Sequence, residues 1–174
     1  MKLREISEEV LYADEPIVRI DKIALEDLKN RAKKNKRKRI RICSHSGIDD
    51  KVHEMLIVHT QDTYVRPHKH LGKSESFHIV EGLGNVIIFS DEGVIRDVVE
   101  LGDSASGKNF YFRINQPYYH TLQIISEFII FHETTSGPFN RSDTVFPAWA
   151  PDDFNVKAVK AFMLDLLNEK LQNK

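Results

Sequence analysis

The chain has 174 residues, 41% apolar and 29% charged, with a formal net charge of −1. These values fit one ordinary folded domain that can bury a core without disulfides. A single cysteine, Cys43, excludes an intrachain disulfide framework, and no apolar run approaches the roughly 20 residues that a spanning helix needs. With no apolar run of signal-peptide type near Met1, the expectation is a cytoplasmic protein.

Asp21 to Asn30 reads as a short helix, with Asp21 as N-cap and Ile23, Leu25 and Leu28 as its apolar contacts. It runs into a basic block, because residues 29–41 hold nine of the 25 Lys and Arg, leaving 16 basic against 26 acidic residues elsewhere. The block contains no aromatic residue on which a base could stack, so it reads as a solvated helix end and linker and not as a nucleic-acid surface.

From about residue 54 the texture changes to short runs rich in Val, Ile, Phe and Tyr, separated by turn signals. Strands are predicted at 54–59, 63–70, 75–80, 83–89, 94–100, 110–114, 118–125 and 128–133. Without helical pattern between them, a parallel α/β sheet is excluded in favour of a β-sandwich or barrel. Residues 134–151, with Gly137-Pro138-Phe139 and Phe146-Pro-Ala-Trp-Ala-Pro151, read as a strap packed on the sheet. A C-terminal helix follows from Asp152 or Asp153, its apolar stripe formed by Val156, Val159, Phe162, Met163, Leu166, Leu167 and Leu171. The expected organisation is one structural domain: a helical and basic segment 1–41, a β-barrel with its strap 42–151, and a helix 152–174.

Chemistry concentrates in Tyr64-Val-Arg-Pro-His-Lys-His-Leu-Gly-Lys-Ser-Glu-Ser-Phe-His. His68 and His70 lie two apart on a predicted strand and so project from one face. A turn at 71–74 reverses the chain, and Glu75 opens the next strand, where its carboxylate can meet both imidazoles. His120 lies far along the chain in the strand Tyr118-Tyr-His-Thr-Leu122. Three imidazoles and a carboxylate suit one divalent first-row ion (Fe, Mn, Ni, Co or Zn), and four protein ligands leave octahedral positions open. The spacing His-x-His-x₄-Glu-x₆-Gly arises by accident roughly once per thousand such chains, so coincidence is a weak rival.

Strand parity sorts the neighbours. Tyr64 and Arg66 share the predicted face of His68 and His70, which makes Arg66 a substrate anchor for a carboxylate or phosphate. Phe77 and Ile79 share Glu75's face as apolar wall. Tyr118 and Leu122 share that of His120, which makes the Tyr118 hydroxyl a proton-transfer group. His78 falls on the opposite face from Glu75. His45, in the segment before the sheet, is a candidate to approach the cavity as a supporting or substrate-contacting residue, whereas His53, His59 and His132 read as ordinary strand or loop residues.

His68-x-His70-x₄-Glu75-x₆-Gly82 resembles the first sequence motif of the cupins, and His120 sits where their second motif places its histidine. Asp62 replaces a customary glycine six residues before His68, and Asn115-Gln116-Pro117-Tyr118-Tyr119-His120 keeps only the histidine of the second motif. More narrowly, the chain resembles the WbuC-type cupin metalloproteins associated with bacterial O-antigen and surface-polysaccharide genes. The segments that carry this are Arg39-Ile-Arg41-Ile-Cys-Ser-His45, Tyr64 to His70, Phe131 to Phe139, and Phe146 to Pro151. The resemblance implies a double-stranded β-helix (jelly-roll) with the metal inside the barrel, ligated by His68, His70, Glu75 and His120.

The function expected is therefore that of a metal-binding cupin acting on a small polar or anionic substrate such as a sugar or nucleotide-sugar, by Lewis-acid isomerisation or epimerisation. Oxygen chemistry at non-haem Fe(II) and a non-catalytic metal- or sugar-binding accessory role are the alternatives. Strands apolar on both faces need cover on the outside, from the terminal helices or from a second subunit, and a homodimer is the expectation.

Overall fold

A computed structural model describes residues 1–172, with side chains described through residue 167, so Leu171 and residues 173–174 lie outside them. In chain order the elements are β1 (Leu3–Ser7), β2 (Val10–Ala13), α1 (Lys22–Lys34), β3 (Arg39–Cys43), β4 (Val52–Thr60), β5 (Lys69–His70), β6 (Glu75–Phe89), β7 (Ile95–Gly102), β8 (Tyr111–Ile114), β9 (Tyr119–Ser136), β10 (Thr144–Val145) and α2 (Val156–Gln172). The main sheet runs β1-β2-β3-β4-β9-β6-β7, with β8 also paired to β6, and β10 pairs with β5. The protein is mainly β, a double-stranded β-helix with a helix toward each end.

Two long strands make the barrel. The predicted strands 75–80 and 83–89 are one strand, β6, and 118–125 and 128–133 belong to one strand, β9. The second half of β6 pairs with the first half of β9, and the first half of β6 with the second half of β9. Register shifts on either side of Gly82 bend the ribbon where the sequence suggested turns. Gly82 has φ +90°, and a Cβ there would lie 2.1 Å from the Phe128 carbonyl oxygen, so a close backbone crossing at the bend requires glycine.

Alternation along these strands feeds three apolar clusters. Met55, Ile57, Phe77, Ile79, Ile129 and Phe131 point into the barrel. Val58 and Ile130, one residue out of phase, point outward with Ile40 and Ile42 onto Leu28 and Ala32 of α1. Farther along, Ile87, Phe89 and Tyr119 meet Leu166 and Phe162 of α2 together with Trp149 of the strap. Cover for the outward faces thus comes from the chain's own helices.

The expected helix begins where Asp21 caps it, its side chain accepting from the Ala24 N–H at 2.8 Å. Ile23, expected in its contact face, is 81% exposed, and the buried residues are Leu28 and Ala32. On α2 the buried stripe is narrower than expected: Val159 and Leu166 are buried, while Val156 and Leu167 stand in solvent. The hairpin β1–β2 carried too short a pattern to be anticipated. The basic block is divided, Lys29 to Lys34 ending α1 while Arg39 and Arg41 ride on β3, which carries the sheet across residues 41 and 42. Much of its charge is met by the acidic body: Lys29 with Glu26 and Glu81, Arg31 with Glu5, Lys33 with Glu127, and Arg37 with Asp153. No described helix is long and apolar enough to cross a membrane.

Candidate metal centre

His68 and His120 come from distant segments joined by an isolated antiparallel bridge, each backbone N–H donating to the other's carbonyl at 3.0 and 2.9 Å. His70 lies on β5, held by β10, and Glu75 opens β6. One ring nitrogen from each of His68, His70 and His120 lies within 4.8 Å of the others. The Glu75 carboxylate is 4% exposed, with Oε1 2.6 Å from His120 Nε2 and Oε2 3.5 Å from His70 Nε2. Oε1 has no hydrogen bond of acceptable geometry despite that short approach.

The ring orientations are fixed from behind. His68 Nδ1 lies 2.8 Å from the Arg66 carbonyl and His120 Nδ1 3.0 Å from the Tyr118 carbonyl. A carbonyl can only accept, so each Nδ1 carries the proton, and a neutral ring leaves Nε2 as a lone-pair donor. His70 Nδ1 is 3.1 Å from the Thr144 hydroxyl on β10. Outer partners that hold the tautomer and aim of a ring are the usual support of a metal-ligating histidine. The donor set therefore fits a divalent transition ion.

Burial, reinforced by the neighbouring His120, drives the His68 pKa down to about 3, so this ring is neutral. Burial also opposes charge on Glu75 and on His120, but their mutual contact wins: Glu75 is held below the usual carboxylate range by His120 and His70, and His120 is raised by Glu75. Each of the two groups thus favours the charged form of the other.

Arg66 and Tyr118 do not join this group. Residues 64–67 are not strand, so parity fails there. Arg66 donates to the Asp152 carboxylate at 2.9 Å and lies over the Phe146 ring, fastening the strap. The Tyr64 hydroxyl donates to the Pro151 carbonyl, and the Tyr64 ring meets Phe162. Tyr118 precedes β9 and is 55% exposed.

The four residues open on a cavity of about 640 Å³ whose wall continues through Phe77, Leu122 and Phe131. His45 lines that wall as expected, and sequence parity missed three further polar members: His53, His59 and Glu133. His45 and His53 stack at 4.1 Å, with Tyr12 edge-on to His45. Glu133 alternates with Phe131 and Thr135 along β9, and an acidic residue in phase with buried apolar ones was the available signal. Burial, and then the charge of Glu75, push the Glu133 pKa up to about 8.

The family model of a domain of unknown function, DUF6016, matches residues 20–101. No curated protein matches the chain. Among solved structures the chain is similar to protein SO0799 from Shewanella oneidensis, at 15% identity and TM-score 0.48 over 59% of this chain and 66% of that one. It is also similar to the capsular polysaccharide assembling protein CapF from Staphylococcus aureus, at 18% identity and TM-score 0.46 over 57% of this chain and 27% of that one. A third is the oxalate decarboxylase of Lactobacillus farciminis in its formate complex, at 18% identity and TM-score 0.44 over 56% of this chain and 27% of that one. The matched region thus spans under a third of the last two proteins and just under two thirds of the first.

Proposed function

We propose that this chain is a metal-binding cupin in which His68, His70, Glu75 and His120 hold one divalent transition ion, and that it acts on a small sugar-like substrate. The observation that carries the reading is the convergence of the rings: two backbone carbonyls fix Nδ1–H on His68 and His120, the three imidazoles gather within 4.8 Å, and His120 Nε2 meets an otherwise unsatisfied Glu75 oxygen. An ion held there would supply Lewis-acid polarisation of a substrate carbonyl or hydroxyl pair. The chain's own part is to set an apolar wall of Phe77, Leu122 and Phe131 beside the ligands. Glu133, held protonated near neutrality, is placed in the same wall to give or take a proton. The narrower sequence resemblance to WbuC-type proteins extends the reading to surface-polysaccharide biosynthesis.

The test is elemental analysis of untagged protein beside His68→Ala and Glu75→Ala. Near-stoichiometric Fe, Mn, Ni, Co or Zn in the wild type and its loss from both variants is the expected result. No ion in the wild type, and none taken up when ions are added back, would sink the reading.

A further inference from the structure

The cavity has a second polar region that the metal centre does not use. On β3, Ile40 and Ile42 face α1, so Arg39, Arg41 and Cys43 face the barrel, opposite His59, Ile57 and Met55 of β4. The row Arg41–Ile57–Phe131–Ile79 lies four residues along β6 from Glu75, about 13 Å in the strand direction. Both regions line the same cavity.

Charge there is unbalanced. Glu9 takes Arg39 at 2.9 Å and Arg37 at 3.6 Å, and Asp153 takes Arg37 at 2.5 Å. Arg41, exposed on the same wall, forms no ion pair with either carboxylate among the described residues; its neighbours there are Cys43 and Glu133. Beside them His59 is 7% exposed, and its Nδ1 has no hydrogen-bond partner. The orphaned His59 nitrogen, buried beside Arg39 with Arg41 on the same wall, is an unfilled polar contact, which native interiors rarely leave without a ligand or water.

We propose that Arg41, with Arg39 and His59, forms an oxyanion subsite, so that the substrate is a polyol carrying a phosphate or carboxylate, the anion on Arg41 and its oxygens reaching toward the metal centre. The inference rests on the function proposed above and assigns to Arg41 the anchoring role that parity gave to Arg66. A guanidinium fork suits either oxyanion, and a cavity of about 640 Å³ admits a molecule of this size.

The experiment is calorimetric titration of metal-loaded, full-length wild type and Arg41→Gln with glucose, gluconate and glucose 6-phosphate, with metal content and thermal midpoint measured on each sample. One anionic probe or both should bind more tightly than glucose and weaken by about tenfold or more in Arg41→Gln, with metal content unchanged. Gluconate alone would mark a carboxylate subsite, and glucose 6-phosphate alone a phosphate one. Arg41→Lys should restore part of the affinity. Equal binding of the three probes, or an anion affinity unmoved by Arg41→Gln in protein that keeps its fold, overturns the subsite. Anion binding that depends on Arg41 in protein that takes up no metal would instead sustain the subsite and overturn the metal reading.

Discussion

His120 and Glu75 decide how the metal centre responds to pH. Burial opposes charge on His120, but contact with Glu75 outweighs it and raises the His120 pKa, so an incoming ion competes with a proton that the carboxylate favours on this ring. Metal affinity is therefore expected to rise with pH, with protons released as the ion binds. Titrations in buffers of different ionisation enthalpy measure both. Glu133 works in the opposite sense on stability. Its carboxyl keeps a proton up to about 8 in the folded protein, whereas the unfolded chain releases it near 4.5. Between those values the native state binds more protons, so stability falls as pH rises. Glu133→Gln should thus raise the thermal midpoint by a few degrees at pH 8 and by little at pH 5, read by parallel melts.

At the scale of elements, the bend in the β6–β9 ribbon carries the architecture. Gly82→Ala combines a left-handed backbone, φ +90°, with a Cβ 2.1 Å from the Phe128 carbonyl. A loss of about 2 kcal/mol or more is expected in denaturant unfolding, while Gly72→Ala, whose Cβ would meet nothing within 4 Å, should cost less. Helix α1 is held by burial more than by propensity. Leu28→Ala, at a side chain 1% exposed, should cost about 2–5 kcal/mol, and Ile23→Ala, at one 81% exposed, should lie within about half a kcal/mol of wild type.

Across the whole molecule, His120 meets the segment 68–75 only when the barrel is closed, so an ion held as proposed would bind the native state and not the unfolded one. Addition of metal at a hundredfold excess over its Kd is expected to add roughly 2.7 kcal/mol, a rise of several degrees in Tm. A chelator should reverse it, and His68→Ala should abolish it. The same closure explains how part of the basic block's charge is met: segments that look uncompensated in sequence fold against an acidic body, as Lys33 does on Glu127 and Arg37 on Asp153.

Local chemistry was legible because it depends on local geometry. A side-chain period of two with a turn at 71–74 is enough to set His68, His70 and Glu75 in one neighbourhood. Asp21 before an apolar run is enough to start α1, and alternating apolar runs are enough to announce a β protein. His120 entered the set from its own strand pattern, and the sequence resemblance supplied the reason it should reach the other three. Parity failed where the chain is not strand: Arg66 and Tyr118 were read as inward-facing, but residues 64–67 are irregular and Tyr118 lies before β9. Nor could order along the chain reveal that 81–82 and 125–128 are a bend and not turns, since a bulge and a turn use the same residues and differ only in what crosses them. The placing of Arg41, His59 and Glu133 on one cavity wall with the metal centre was likewise a tertiary decision. Those residues belong to β3, β4 and β9, and only long-range strand register brings them to a common face.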